Sequence, residues 1–516
     1  MKNIFSEVQF KKGKKTLFPM MHDRKFSMNM GELVPILCEE VIPGDTWRCK
    51  SEAIVRMAPM LAPIMHRLNI QTHFFFVPNR LVWDDWEDFI TGGPTGTSNP
   101  VSPYIDFSGA YGEWMKNGSL LDYLGGATRD IAPTVSARIS ALPFRAYSLI
   151  YNEYYRDQDL ETEIVISKDS GNASANTDVL ELRNRAWEKD LFTSARPFTQ
   201  KGAEVQVPLI GDAPILFDRT AGTGRWVHDN TGDQLATGAA TMVDNLGDTM
   251  IQSGGERGEY DPNGTLEADL SSATSTTIAD LRNAARLQEH LEKNMRGGSR
   301  YIEQMLVHFN VVSDDARLQR PEYLGGGKVP MMISEVLQTS ETATTAQGNL
   351  SGHGVSAGSS PYWKKFFKEH GYIIGIMSVM PKTSYYQGFR RYLLKDDKYD
   401  YFFRDFEHIG EQGIYPAELY HDYDDTVNKG TFGYNMRYYE YKYIPSSVHG
   451  DFKNSLEYWH LGRKFASSPT LNKNFVLADP DDRIFAVQDG SDKLYCQVYN
   501  DVSAIRSMSR FSNPQL

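Results

Sequence analysis

The chain has 516 residues, of which 41% are hydrophobic, 23% charged and 12% aromatic, and its formal net charge is −12. A chain of this size buries a large core unaided, which excludes a disordered polymer and a small disulfide-stapled scaffold. The acidic sum argues against a protein whose whole surface grips nucleic acid.

Residues 1–15 hold five lysines and one glutamate, a net of +4. They contain no apolar run of the signal-peptide type. No stretch of the chain approaches the ~18 apolar residues of a membrane span. The expectation is a chain made in a cytoplasm that spans no membrane. Residues 32–42 and 46–57 read as two strands, with Pro43-Gly44-Asp45 as the turn between them. Residues 70–77 are a strongly β-prone run closed by Pro78. A short helix is expected near Trp83, Trp86 and Ile90, with Asn79 available before it. Residues 143–156 predict a second helix, with Ala146, Leu149, Ile150 and Tyr154 on one side.

Residues 211–270 change character. They hold eleven acids, three arginines and ten glycines, a net charge of −8, and no strand or helix period persists in them. So long a stretch without periodicity is either functional or disordered. Trp226, Leu235, Met242, Leu246 and Ile251 give it apolar residues to pack, which favours an exposed protrusion. The best helix follows over 277–296, where Ile278, Leu281, Ala285, Gln288, Leu291 and Met295 recur at helical steps. Thr277 with Asp280 resembles a capping box, and Gly297-Gly298 ends the run. Residues 338–361 read as a flexible Gly/Ser/Thr-rich loop, and 371–379 as a strand buried on both faces. Residues 435–444 alternate, which predicts a strand with Tyr439, Tyr441 and Tyr443 on one face. Residues 503–516 carry Arg506 and Arg510 and no acid, forming a second basic tail. Many strands, few helices and long loops predict a mainly β two-sheet sandwich or jelly roll.

No catalytic or metal motif emerges. Cys38, Cys49 and Cys496 are too few and too odd in number for a disulfide framework, and their spacing fits no zinc site, so they read as buried small hydrophobes. His66 and His73 could meet in space, as could Glu407-His408 and His421-Asp422, but none has metal-ligand spacing on one helix. Leu324-Gly325-Gly326-Gly327-Lys328 lacks the first glycine of a phosphate loop and has Val329 where Ser or Thr must bind magnesium, so it reads as a flexible turn. Gly222-Thr223-Gly224 belongs to no dinucleotide fingerprint. Asp84, Asp85, Glu87 and Asp88 beside Trp83 and Trp86 admit a glycosidase reading, but at helical spacing Asp84, Asp85 and Asp88 read instead as the solvated face opposite Trp83, Trp86 and Ile90. Lys11, Lys12, Lys14 and Lys15, flanked by Phe5, Phe10 and Phe18, are the nucleic-acid candidate.

An ordered series of motifs spans nearly the whole chain. PGDTW at 43–47 is followed by THFFFVPNRLVWDDWEDFITGG at 72–93, LPFRAYSLIYNEYYRDQ at 142–158 and GSRYIEQMLVHFNV at 298–311. RLQRPEYLGGG at 317–327, EHGYIIGIMSV at 369–379, IGEQGIYPAELY at 409–420 and FGYNMRYYEYKYIPSSVHGDF at 432–452 continue it, and WHLGR at 459–463 completes it. In this series the chain resembles the major capsid proteins of microviruses, particularly the gokushovirus branch. The resemblance implies an eight-stranded antiparallel jelly roll with long inter-strand insertions. It implies a T=1 icosahedral virion shell around circular single-stranded DNA, built in a bacterial cytoplasm, with no enzyme activity and no cofactor or metal. It also implies a small basic DNA-binding virion protein as partner. The acidic insertion would form protrusions that meet a host surface receptor, and there Trp226, His228, Asp244 and Tyr260 are the candidate contacts. Lys11, Lys12, Lys14, Lys15, Arg506 and Arg510 would face the genome. Two other classes stand beside this one: a carbohydrate-binding or carbohydrate-cleaving jelly roll, and a scaffold that assembles without DNA.

Overall fold

The computed structural model describes residues 15–106, 114–128, 138–203, 205, 278–337 and 350–511, with the backbone of six short strands between 215 and 268. Two compact units result, one from residues 1–199 with 299–516 and one from 200–298. The second unit is thus wider than the acidic stretch 211–270.

The larger unit is an antiparallel jelly roll. Its strands are β1 (Thr16–Pro19), β2 (His22–Met28), β3 (Val34–Val41), β4 (Thr46–Met57), β5 (Leu68–Pro78), β6 (Glu322–Pro330), β7 (Met332–Leu337), β8 (Leu350–Ser359), β9 (Trp363–Phe366), β10 (Gly371–Pro381) and β11 (Leu494–Arg506). Seven of them form one sheet, in which β1 and β2 share one edge of β11, β4 follows, β8 and β9 share the far edge of β4, and β7 closes the order. The other sheet runs β6-β5-β10-β3. Two positions of the larger sheet are each shared by two short strands, so the eleven strands occupy nine positions rather than the expected eight.

Burial explains the strand patterns. Along β4, Trp47, Cys49, Ser51, Ala53, Val55 and Met57 point inward, while Arg48, Glu52, Ile54 and Arg56 are exposed. Only one face of the seven-stranded sheet is therefore buried. The central strands of the four-stranded sheet, β5 and β10, are buried on both. Phe74, Phe76, Ile373, Met377 and Val379 fill the inter-sheet core. Phe75, Val77, Ile374 and Ile376 pack on the opposite side against a layer containing the helix Leu142–Ile150. This double burial is why 70–77 and 371–379 read as continuous apolar runs. The helix is itself buried almost all round: Tyr147 donates to Leu33 O at 2.9 Å, and Arg145 donates to Val82 O and Asp169 O, each at 3.0 Å. It passes into a π turn over Tyr151–Tyr155, short of the single helix expected over 143–156.

Three sequence expectations are corrected. First, the alternating run 435–444 is strand only over Gly433–Met436. Tyr438 has a left-handed backbone (φ 59) and a 3-10 turn, Tyr439–Tyr441, follows, so Tyr439 is buried while Tyr441 and Tyr443 are exposed. Second, within the loop expected over 338–361, residues Leu350–Ser359 are strand β8, and 338–349 lie outside the described residues. Third, the Gly325-Gly326-Gly327 segment is no flexible turn, because it lies in β6 paired with β5. A Cβ on Gly326 would stand 2.4 Å from Thr72 O, so glycine lets the two strands close there.

The smaller unit carries strands where no period was legible. Thr241–Asn245, Asp248–Ser253, Glu256–Tyr260 and Trp226–His228 form a four-stranded sheet in that order, and Leu266–Ala268 pairs with Ile215–Phe217. The helix Ile278–Gly297 follows as expected, with Met295 buried but Ile278 and Leu281 exposed. Thr277 of the expected capping box lies outside the described residues.

Candidate assembly and genome-facing surfaces

The strand β11 escaped the sequence reading and organises one corner of the sandwich. Leu494, Cys496, Val498, Asn500, Val502 and Ala504 point inward on it, a strict alternation that was the available signal. Residues 503–506 therefore belong to a strand rather than to a tail. They pair with β1, Thr16 opposite Arg506 and Pro19 opposite Ser503. The chain thus enters and leaves the sheet side by side.

The Pro43-Gly44-Asp45-Thr46-Trp47 motif locks this corner. Gly44 makes the turn at φ +93, a left-handed conformation that favours glycine. The Asp45 carboxylate then accepts from Trp47 Nε1 at 3.1 Å, Ile42 N at 3.2 Å and Arg506 Nε at 2.9 Å. Arg506 also donates to Glu40 O at 3.0 Å and lies over the Trp47 ring. Its guanidinium is consequently engaged inside the fold, which corrects its standing as a free cation for DNA. Lys15 donates to Gly44 O and sits above the Phe366 ring, and Arg510 is exposed. Lys11, Lys12 and Lys14 lie outside the described residues.

The other candidates separate rather than converge. Asp84, Asp85, Glu87 and Asp88 are all exposed, Trp83 is buried and Ile90 is exposed. Asp85 accepts from Ser170 Oγ at 2.6 Å, and Ser170 Oγ accepts from Trp83 Nε1 at 2.8 Å. The α-helix here is Trp86–Thr91, with Asp85 before its first residue making no side-chain cap, and it is preceded by a 3-10 turn, Asn79–Leu81. Glu87 and Asp88 are thus solvated acids in the first turn of a short helix, and Asp84 and Asp85 are exposed in the turn before it. His66 lies 2.6 Å from Lys382 O and His73 lies 2.8 Å from the Tyr155 hydroxyl, so the two have different partners. Burial pulls the pKa of each down to about 4, which keeps both imidazoles neutral. His421 packs on Phe389. Among the described residues no three His, Cys, Asp or Glu side chains are grouped to hold a metal. Burial pushes the thiols of Cys38, Cys49 and Cys496 up to about 12, so they behave as packing groups.

In the smaller unit, Trp226 and Tyr260 occupy opposite register positions, His228 lies opposite Gly258, and Asp244 lies opposite Thr249 on the neighbouring hairpin. Three of the four candidates thus fall on the pair Trp226–His228 and Glu256–Tyr260, and the fourth lies two strands away in the same sheet.

Comparison with known proteins gives this architecture a context. The family model for "Capsid protein (F protein)" matches residues 6–516. Capsid protein VP1 of Bdellovibrio phage phiMH2K is 39% identical over 464 residues, covering 88% of this chain and 86% of the relative. VP1 of Chlamydia phage 1 is 35% identical over 589 residues, covering 100% and 98%. VP1 of Spiroplasma virus 4 is 32% identical over 525 residues, covering 95% and 93%. The family match spans the jelly roll and the insertion together. The chain therefore belongs to the phage capsid protein (F protein) family of the microviruses, as a structural protein of the virion and not an enzyme.

Proposed function

We propose that copies of this chain close into a T=1 icosahedral shell around a circular single-stranded DNA genome, with both chain ends turned toward the DNA. The pairing of Thr16 with Arg506 carries the reading. It sets the strand that follows Lys15 beside the end of β11 that leads to Arg510, and Lys11, Lys12, Lys14, Lys15 and Arg510 are the cations proposed to meet the genome. Each lysine that meets a phosphate releases counterions. A small basic virion protein would neutralise much of the remaining phosphate charge.

Exposed apolar surface supports contact between copies. The helix Tyr301–Phe309 buries none of its residues, and Tyr301 and Phe309 are 69% and 74% exposed. The terminal strand β7 exposes Met332, Val336 and Leu337. Patches of this kind mark protein contacts, and a standard interface buries about 1,600 Å² in total. The acidic insertion is the part of the chain proposed to meet a host receptor, through Trp226, His228, Asp244 and Tyr260.

The purified protein is expected in large particles that protect single-stranded DNA from nuclease. Changing Lys11, Lys12, Lys14 and Lys15 to alanine should lower DNA retention, with a loss that grows with salt. A monomer across salt and concentration would overturn the shell, and unchanged DNA retention would remove the tails from it. Replacing 211–270 by a short linker should leave particles intact and abolish host attachment. Attachment at the wild-type level would refute the receptor role.

A further inference from the structure

The connections at one end of the sandwich enclose a cavity of about 540 Å³. Its walls come from residues 65–67 between β4 and β5, residues 382–384 just after β10, and the later connection over 446–460. This is the end of the sheet remote from Thr16 and Arg506. Ile505 pairs with Thr46 at the start of β4, and the 12 residues of β4 put Met57 roughly 36 Å from there.

The charge of the cavity is one-sided. Among the described residues that line it there is no Asp or Glu, in a chain with 66 acids against 54 lysines and arginines. Arg67 and Lys382 both line it and both are exposed. They take the next register places beyond the paired residues Leu68 and Pro381, and Lys382 N donates to Arg67 O at 2.9 Å. Among the described residues neither side chain has a hydrogen bond or an ion pair. Like charges set opposite each other repel, and an anion between them turns that repulsion into attraction. The imidazoles of the wall do not supply the charge. His66 Nε2 lies 2.6 Å from Lys382 O, and His460 Nε2 lies 2.6 Å from Phe452 O while its Nδ1 accepts from Gly462 N at 2.9 Å. Burial lowers the pKa of both rings and keeps them neutral. Ser384, 5% exposed in the same wall, leaves its hydroxyl without a partner.

The rest of the wall is aromatic. Half-buried Trp459 meets Phe452 edge to face, with ring centroids 6.2 Å apart. Two unpaired cations suit a doubly charged group, and an indole suits a flat ring. We propose that this cavity binds a phosphate monoester carried on a small ring-bearing molecule, with Arg67 and Lys382 on the phosphate and Trp459 against the ring. The site stands apart from genome packaging, because a circular strand offers only phosphodiesters, each with a single charge. A carboxylate is the poorer fit, because its one charge leaves one of the two cations unanswered.

Phenyl phosphate is the probe, titrated into wild-type particles by isothermal calorimetry. It should bind with a dissociation constant of about 1 mM or tighter. R67Q/K382Q particles should assemble with a wild-type melting temperature, since both side chains are exposed, and should bind the probe at least about tenfold more weakly. W459A should weaken phenyl phosphate about tenfold and leave inorganic phosphate unchanged. No heat with phenyl phosphate, or unchanged binding in R67Q/K382Q, would overturn the site. Benzoate binding as tightly as phenyl phosphate would overturn its assignment to a phosphate monoester. Displacement of the probe by oligo(dT) at equal phosphate concentration would make the cavity a genome contact instead. Folded R67Q/K382Q subunits that cannot assemble would make it a contact between copies.

Discussion

Asp45→Ala should destabilise the folded chain by about 3–5 kcal/mol, the cost expected when one member of a buried ion pair is removed. The Asp45 side chain is 1% exposed and that of Arg506 is 17% exposed. Without the carboxylate, the Arg506 guanidinium keeps only Glu40 O and the Trp47 ring, and the indole N–H of a fully buried tryptophan loses its acceptor. Arg506→Met should cost less, because the carboxylate would still accept from Trp47 Nε1 and Ile42 N. Urea unfolding followed by tryptophan fluorescence measures both. A D45A midpoint within error of wild type would show that the corner is not held by this carboxylate. The local consequence reaches beyond stability, since Thr16 pairs with Arg506 and a loosened β11 end would release β1 and the basic segment before it.

How far the chain could be read in advance depended on where each element buries its side chains. The runs around Phe74-Phe75-Phe76 and Ile373-Ile374 were legible because burial on both faces leaves no polar interruption. Strand β8 was missed for the opposite reason. Its glycines serve close packing, as at Gly354, where a Cβ would stand 2.5 Å from Met57 Sδ, and by composition such a strand resembles a loop. The Tyr439–Tyr443 alternation misled because the left-handed turn at Tyr438 cannot be read from a tyrosine. Charge marked 1–15 and 503–516 as basic but gave no sign that β1 lies beside the end of β11. That adjacency depends on β1 pairing with β11 across almost the full chain length, and the same long-range register assembles Arg48, Lys364 and Tyr495 on one face. Such juxtapositions have no local signature. Arg506 shows the reverse error, in which a cation near a terminus looked available but is consumed by an aspartate 461 residues away.

Glu418→Leu should be comparably severe, and its location makes it a test of how the long connection between β10 and β11 is held. Glu418 and Arg391 have side chains 4% and 8% exposed, with 3.1 Å between Oε1 and Nη1. The same carboxylate accepts from the Tyr439 hydroxyl and from Tyr415 N, and the Arg391 guanidinium stacks 3.7 Å from the Tyr415 ring centroid. Leucine would strand a buried cation and orphan two donors, at a cost of about 3–5 kcal/mol. The double variant E418L/R391M should recover a large part of that loss, because replacing both partners of a buried pair by apolar groups is often nearly neutral. A double variant as unstable as the single one would mean that the donors from Tyr439 and Tyr415, rather than the stranded charge, dominate. The cluster around this pair (Tyr385, Ile414, Leu419, Phe432, Tyr439, Phe475) is separate from the inter-sheet core. Regions with their own core open below the global unfolding free energy. Limited proteolysis of E418L should therefore cut first between about 385 and 445 while β4, β5, β10 and β11 stay protected. Cleavage spread evenly over the sandwich would show that this connection and the sheets melt as one unit.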